Sequence, residues 1–351
     1  METPEYTETP DTSPGEAAVS TTPGRPRVGV SACLAGEPVR WKGGDAESPF
    51  VTGELSRFVD LVALCPEVEI GLGVPREPIR LLMDGERLRL VEVRGGADHS
   101  ARMEEYAGER ARGLAEQGLD GFLLKSRSPS CGLEDAPRFR ARGDDEEPVG
   151  AGAGAFASVL TEALPLLAVE DEIGLEDLRR LRRFAVRIFA AARVRLLLER
   201  GPRAGEVVAF HGRERLLILA HDPEACRALD GLAASSGESV GGGEVESGLV
   251  DEYRLGFLGA LAAVATRVRH VSVLERMAGD LRRGLASAAR RELEGEIDSF
   301  GEGTMPLATP LGTIRGHAVA LDLRALTEQS YREPYPPALG SWGETGAEVR
   351  G

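Results

Sequence analysis

Three short apolar runs in this chain each end in a cysteine, and that repetition limits the fold more than any other feature. Arg27-Val28-Gly29-Val30-Ser31-Ala32-Cys33 is the first, Leu61-Val62-Ala63-Leu64-Cys65-Pro66-Glu67 the second. The third, Gly121-Phe122-Leu123-Leu124, runs into Lys125-Ser126-Arg127-Ser128-Pro129-Ser130-Cys131-Gly132. Each reads as a buried strand followed by a tight polar loop. The stretches between them carry helical periodicity, clearest over residues 99–117. Strands alternating with helices make an α/β fold with a mainly parallel, Rossmann-like sheet and right-handed crossovers. In such a sheet the loops past the C-terminal strand ends converge in a crevice where ligands bind. Three of the four cysteines therefore share one sheet edge.

The rest of the chain is read around that edge. Residues 1–27 are rich in Thr, Pro, Glu and Ser without periodicity and are expected to be disordered. Residues 28–168 form the first domain. Within it a short helix is expected over 55–59 and a hairpin over 81–93 turning at Asp84-Gly85. Gly143–Pro148 is an exposed acidic loop, and Gly150-Ala151-Gly152-Ala153-Gly154-Ala155 opens a helix reaching about Leu167. No strand directly precedes that glycine run, so close helix packing explains it better than a dinucleotide site. A linker at 169–174 leads to an all-α domain over 175–340, with a flexible tail at 341–351. Its helices are expected at 175–199, 203–219, 223–233, 248–270, 271–287, 288–300 and 314–328. Ser235–Gly248 reads as a loop and Tyr331–Pro337 as an extended segment.

Charge and compartment narrow the chemistry. The net charge of −15 gives the whole molecule no footprint for nucleic acid. Arginine clusters locally, however, as Arg179, Arg180, Arg183 and Arg187 on one helix face and again over Arg267–Arg291. Lys42 and Lys125 are the only lysines, and both lie in the Cys-loop region. No signal peptide and no apolar run near 20 residues is evident, so a cytoplasmic protein with reduced thiols and no membrane partner is expected. There a spaced cysteine set is a metal or catalytic set rather than a disulfide frame. Structural zinc wants four closed ligands, commonly from knuckles, whereas no two of these cysteines are closer than 32 residues. His99 is the candidate fourth ligand for zinc. An iron–sulfur cube accepts scattered thiolates and can leave one iron without a protein ligand. Cys226 lies in a helix and reads as packing. Neither a radical S-adenosylmethionine cysteine run nor a Walker A loop is present.

The motifs Ser31-Ala32-Cys33-Leu34, Val39-Arg40, Cys65-Pro66-Glu67, Gly71-Leu72-Gly73-Val74-Pro75-Arg76-Glu77-Pro78 and Lys125-x-x-Ser128-Pro129-Ser130-Cys131-Gly132 together resemble the 2-thiouracil desulfidase family. The second half is similar to the helical YbgA-like domain. That match runs through Phe210-His211, Ala220-His221, Tyr253, Arg269-His270-x-x-Val273, Pro306-Leu307, Gln329-x-Tyr331 and Pro334-Tyr335-Pro336. Proteins joining the two domains resemble bacterial desulfidases that act on 4-thiouridine in tRNA. The resemblance implies a [4Fe-4S] cluster on Cys33, Cys65 and Cys131, with the thiocarbonyl sulfur of a thiolated uracil at the open iron. It implies Glu67 as general base or proton shuttle and Ser128 as proton relay or ring holder. Ser31, Arg40, Arg76, Lys125 and Ser130 are the expected substrate-binding residues, and the arginine-rich helices the expected tRNA-facing surface. A free-base desulfidase and a non-catalytic cluster-binding sensor are the competing readings. Trp41-Lys42 and Glu275 depart from the family pattern, which expects an aromatic followed by an acid at the first and a histidine at the second. His211, His221 and His270 make no recognisable metal spacing and read as satisfied core residues.

Overall fold

The computed structural model describes residues 24–140, 147–237 and 247–340. Most of the expected N-terminal tail, the acidic loop at 143–146, much of the 235–248 loop and the 341–351 tail lie outside these residues. The strands are β1 Arg27–Ser31, β2 Asp60–Leu64, β3 Ile79–Asp84, β4 Arg87–Glu92, β5 Gly121–Leu124, β6 Ala136–Arg140, β7 Gly150–Gly152 and β8 Ala168–Asp171. Four of them form a wholly parallel sheet in the order β2-β1-β5-β8. The others form a small mixed sheet, β4-β3-β6-β7. The expected hairpin is β3–β4, where Gly85 takes the left-handed φ of 64° that its tight turn requires.

Alternation along the strands divides the core. Val28, Val30 and Leu123 face one side of the parallel sheet, and Phe122 and Leu124 the other. The second side is covered by α2 (Ser100–Glu116) and α3 (Ala155–Ala163), which pack Met103, Ala107, Leu114, Phe156 and Leu160 against it. Between Val28 and Val30, Gly29 is needed for contact: a Cβ there would lie 2.3 Å from the Phe122 ring. The first side is covered by α4 (Leu178–Leu198), through Leu181, Phe184 and Ile188. Sheet and helical half therefore share one apolar core.

Two expectations are corrected here. Residues 169–174 are not a linker. Ala168–Asp171 is the fourth strand, because the apolar Ala168-Val169 pairs with Gly121 and Phe122 of β5. The glycine run does not open a helix directly either: Gly150–Gly152 pairs with β6, and α3 starts only after Gly154.

The helical half contains α5 Ala204–His221, α6 Pro223–Gly237, α7 Ser247–Ala262, α8 Arg267–Leu281, α9 Ser287–Glu302, α10 Ala308–Ala320 and the short α11 Arg324–Thr327; a four-residue turn, α1 Pro66–Glu69, lies after β2 in the sheet half. The continuous helix expected over 248–270 is broken at 263–266. There the Thr266 hydroxyl accepts from the Arg269 amide and caps α8. The segment expected as one helix over 314–328 divides at 321–323, where Asp322 adopts a φ of 50°. Among the described residues no single helix is long and apolar enough to cross a membrane. The pair Gly248–Ala262 and Arg267–Leu281 passes by length and composition but bends by 118°, and its apolar residues Tyr253, Phe257, Val273 and Met277 are buried in the core.

Candidate functional site

All four parallel strands end at the same edge, and the segments after β1, β2 and β5 line a cavity of about 370 Å³ there. Cys33 and Ser31 come from the end of β1, Cys65 and Glu67 from the end of β2, and Lys125, Ser128 and Cys131 from the loop after β5; all line it. Arg40 and Arg76 complete the expected set at the wall. Ser130 stands one layer behind, with its hydroxyl 3.0 Å from Glu67 Oε1. Apart from His99, every residue expected at the site from sequence is thus brought to one place.

The Cys131 loop is built rigidly. Ser128 Oγ accepts from the amides of Ser130 at 3.2 Å and Cys131 at 3.0 Å, and the Ser128 carbonyl accepts from the Gly132 amide at 2.8 Å. The first amides of α3 donate back to it, Ala155 to Pro129 O and Phe156 to Ser130 O. This is what Gly154 is for. A Cβ on Gly154 would sit 2.5 Å from the Ser130 carbonyl oxygen, so only glycine lets the helix approach the loop. Close packing accounts for Gly154, whereas a Cβ on Gly150 would meet nothing within 4 Å.

Electrostatics at the cavity fall into two ion pairs. Arg76 donates to Glu67 Oε2 from Nε at 2.9 Å and Nη2 at 2.6 Å, while its Nη1 reaches the Gly73 carbonyl at 2.8 Å. Arg76 is therefore spent on orienting Glu67, and Oε1 of that carboxylate is left to Ser130 and the cavity. Lys125 Nζ donates to Glu172 and to Ser126 Oγ, the latter at 3.0 Å. Glu172 also accepts from the Ser126 amide at 2.9 Å. Burial pushes the Glu172 carboxyl up, but the bonds from Lys125 and Ser126 outweigh it and hold the carboxyl below its ordinary range. Glu172 is the residue that sequence reasoning missed. It is the first residue past β8, and the same rule of apolar strand then polar end would have found it had 168–171 been read as a strand.

All four cysteines are free thiols among the described residues. Burial, with Cys65 next, pushes Cys33 up to about 11, against the lowering fields of Lys125 and Arg40. Burial also raises Cys65 and, most of all, the enclosed Cys131, to which the Ser31 hydroxyl is hydrogen-bonded. These are thiols that stay protonated until something with higher affinity than a proton takes the sulfur. Among the described residues no three His, Cys, Asp or Glu side chains converge tightly enough to hold a single metal ion. A lone zinc needs its sulfurs about 2.3 Å from one point, whereas a cube accepts thiolates spaced around its corners. Three thiols lining one cavity beside Arg40, Arg76 and Lys125 fit the thiolate set that a cube uses. His99 is not near them: its Nε2 lies 3.2 Å from Glu92.

The 2-thiouracil desulfurase family matches residues 28–172, reaching Glu172. A solved [4Fe-4S]-dependent thiouracil desulfidase, TudS, is 31% identical, and the alignment covers 44% of this chain and 95% of that one, with a TM-score of 0.36. The sheet half of the chain belongs to the 2-thiouracil desulfurase family. Residues 215–336 match a domain of unknown function, DUF1722. The uncharacterised protein YbgA of Escherichia coli (strain K12) is 28% identical over 154 residues, covering 44% of this chain and 89% of that protein. In the desulfurase-family half, then, the strand-end cysteines, Glu67 and Ser128 occupy one cavity. The stretch 173–214, holding α4 and the start of α5, lies between the two matched segments.

The helical half brings its histidines together with other partners. His211 lies 2.8 Å from Asp230 and 3.1 Å from Tyr253 Oη, His221 bonds the Leu217 carbonyl at 2.9 Å, and His270 bonds Tyr331 Oη at 2.7 Å. These are core fastenings. Of the arginine face on α4, Arg180 pairs with Glu170, Arg183 donates to the Ala262 carbonyl at 3.0 Å, and Arg187 to Leu166 O and Leu167 O. Much of that face is used internally.

Proposed function

We propose that this protein is an iron–sulfur-dependent desulfidase that replaces the sulfur of a thiolated uracil by oxygen, with 4-thiouridine in tRNA as its substrate. The observation that carries the reading is the meeting of Cys33, Cys65 and Cys131 with Glu67 and Ser128 round one cavity, in a chain whose similar solved structure is named as a [4Fe-4S]-dependent thiouracil desulfidase. Cys33, Cys65 and Cys131 would hold a [4Fe-4S] cluster, which when bound supplies an iron without a protein ligand that takes up sulfur and polarises C=S. Glu67, fixed by Arg76 and Ser130, accepts a proton from water as the water oxygen adds to the ring carbon. The C–S bond then breaks and sulfide leaves. The balance is thiocarbonyl plus water to carbonyl plus hydrogen sulfide, with no electrons exchanged. Ser128 holds its hydroxyl oxygen on the loop amides and has its proton left to donate to the ring or the departing sulfur.

The reading places the protein in the cytoplasm, where thiols stay reduced. Exposed arginines of α8 and the segment after it, such as Arg276, Arg282 and Arg283, remain to meet tRNA phosphates, which would make binding fall with salt. Protein reconstituted anaerobically with iron and sulfide should release sulfide from thiolated tRNA and bleach its 4-thiouridine absorbance. Turnover of the free base alone would remove tRNA from the reading. A brown protein that turns over neither would be a cluster-binding sensor.

A further inference from the structure

Lys125 lines the cavity, but the hydrogens of its ammonium are already engaged. An ammonium has three N–H donors. Those of Lys125 go to a Glu172 carboxylate oxygen, to Ser126 Oγ at 3.0 Å and to the Ser126 carbonyl at 3.2 Å. Glu172 in turn accepts from both residues that open the Cys131 loop. Its Oε1 takes the Lys125 ammonium and the hydroxyl of the buried Ser126, and its Oε2 takes the Ser126 amide at 2.9 Å. Glu172 itself stands outside the cavity lining, one residue past β8. The end of β8 is fastened as well: Arg180 of α4 donates to Glu170 at 3.0 Å, and the Gly174 amide to Asp171 Oδ1 at 2.6 Å. Lys125 is also close to the Cys33 segment. Its amide donates to Ser31 Oγ at 3.0 Å, two residues before Cys33, and its positive charge opposes the effect of burial on the Cys33 thiol more strongly than that of Arg40 does.

We propose that Glu172 is a positioning residue: it holds the Lys125 ammonium as a fixed countercharge on the Cys33 side of the cavity, withheld from the substrate contact that its sequence position suggests. The use of that charge rests on the desulfidase reading, in which Cys33, Cys65 and Cys131 hold a [4Fe-4S] cluster. A cube with three thiolates is net anionic, and a cation fixed beside it offsets that charge. A flexible lysine would spend its charge on solvent or on whatever enters the cavity. Three bonds from two adjacent residues onto one carboxylate remove that freedom. They also tie the start of the loop that carries Ser128 and Cys131 to the end of the fourth strand.

Two variants that keep shape and change charge test this in anaerobically reconstituted full-length protein, by redox titration of the cluster. Positive charge nearby favours the reduced cluster. Lys125→Met should therefore lower the reduction potential, and Glu172→Gln, which leaves the ammonium uncompensated, should raise it. A merely loosened wall gives no reason for shifts of opposite sign; shifts of one sign, or none, would overturn the countercharge. Kinetics on thiolated tRNA separate charge from contact. Lys125→Met should lower kcat about tenfold and leave KM within about twofold, whereas a rise in KM of about tenfold would make Lys125 a substrate contact and overturn the inference. The cluster-free protein gives a further readout. In Glu172→Ala, amide hydrogen exchange at Ser126 should quicken at least about tenfold while the core amide of Ala107 keeps its wild-type rate. Unchanged exchange at Ser126 would overturn the anchoring. Should the wild-type protein take up no iron, the desulfidase reading falls, and the exchange measurement still decides whether Glu172 holds the loop.

Discussion

Two glutamate–arginine pairs, one in each half of the molecule, show how the same chemistry is put to opposite uses. Glu67 and Arg76 sit at the cavity wall. Both guanidinium bonds go to one carboxylate oxygen, and the other accepts from the Ser130 hydroxyl at the cavity wall. Glu214 and Arg193 lie in the helical half, where Nε and Nη2 take one oxygen each at 2.7 and 2.9 Å. Ser330 Oγ, at 2.6 Å, uses more of the Glu214 carboxylate, and Arg193 Nη1 reaches the Pro334 carbonyl at 2.8 Å. The second pair ties α4, α5 and the C-terminal segment together. A buried ion pair is neutral or weakly stabilising as a unit but costly to break. Each carboxylate accepts three hydrogen bonds; what separates the pairs is that Glu67 lines a cavity while Glu214 is buried in the core. Cysteines divide in the same way: Cys33, Cys65 and Cys131 surround a cavity, while Cys226 is packed against the Arg215 carbonyl.

Four substitutions or conditions put this contrast at risk, in decreasing order of effect. Glu67→Gln keeps the shape of the pair and should lower desulfidase turnover about 10²- to 10⁴-fold, with iron content and melting temperature near wild type. A variant that still turned over would show that Glu67 only shapes the wall. Glu214→Ala should do the reverse. Leaving Arg193 unpaired costs about 3–5 kcal/mol of unfolding free energy, read by denaturant titration, with kcat per loaded cluster little changed.

The third concerns pH. Burial drives His221 down to about 4, with the Leu217 carbonyl opposing and Arg269 assisting, and drives His270 down to about 3, with His221 adding to the effect. Both folded values lie below the ordinary value near 6.5, so on acidification the unfolded chain binds protons first. Stability is present above about pH 6.5 and is lost as pH falls toward 4, by up to about 1.4 kcal/mol per pH unit for each histidine. Denaturation curves at pH 7 and pH 5 should differ accordingly, and His270→Asn should shrink the difference. Least of all, Cys226→Ala removes one small packed thiol and should cost about 1 kcal/mol. Iron bound per chain should not change; a loss of iron there would break the division between the two sets of cysteines.

The sequence shows the site better than it shows the frame around it. Cys33, Cys65 and Cys131 stand out because each follows its own apolar strand, a pattern contained in about ten residues. Glu67 and Ser128 are visible because they flank those cysteines. Glu172 is not visible, since it belongs to the acidic run Glu170-Asp171-Glu172 and its partner Lys125 lies 47 residues away. Arg76 reads as a substrate contact until Glu67 is found holding it. The break before α8 escapes because Ala263-Val264-Ala265 contains no glycine or proline, and Thr266 is one of many threonines until its hydroxyl caps Arg269.

What the amino-acid order determined by itself was the alternation of strands and helices, the placing of three thiols at one sheet edge, and the two-part make-up of the chain. Those follow from local periodicity, which needs no partner elsewhere. The tertiary structure alone decided which charges are neutralised, that 168–171 completes the sheet, and that Arg180, Arg183 and Arg187 of α4 bond to groups elsewhere in the chain. Such outcomes depend on pairings between residues far apart in sequence, whose energies exist only once the chain has brought them together.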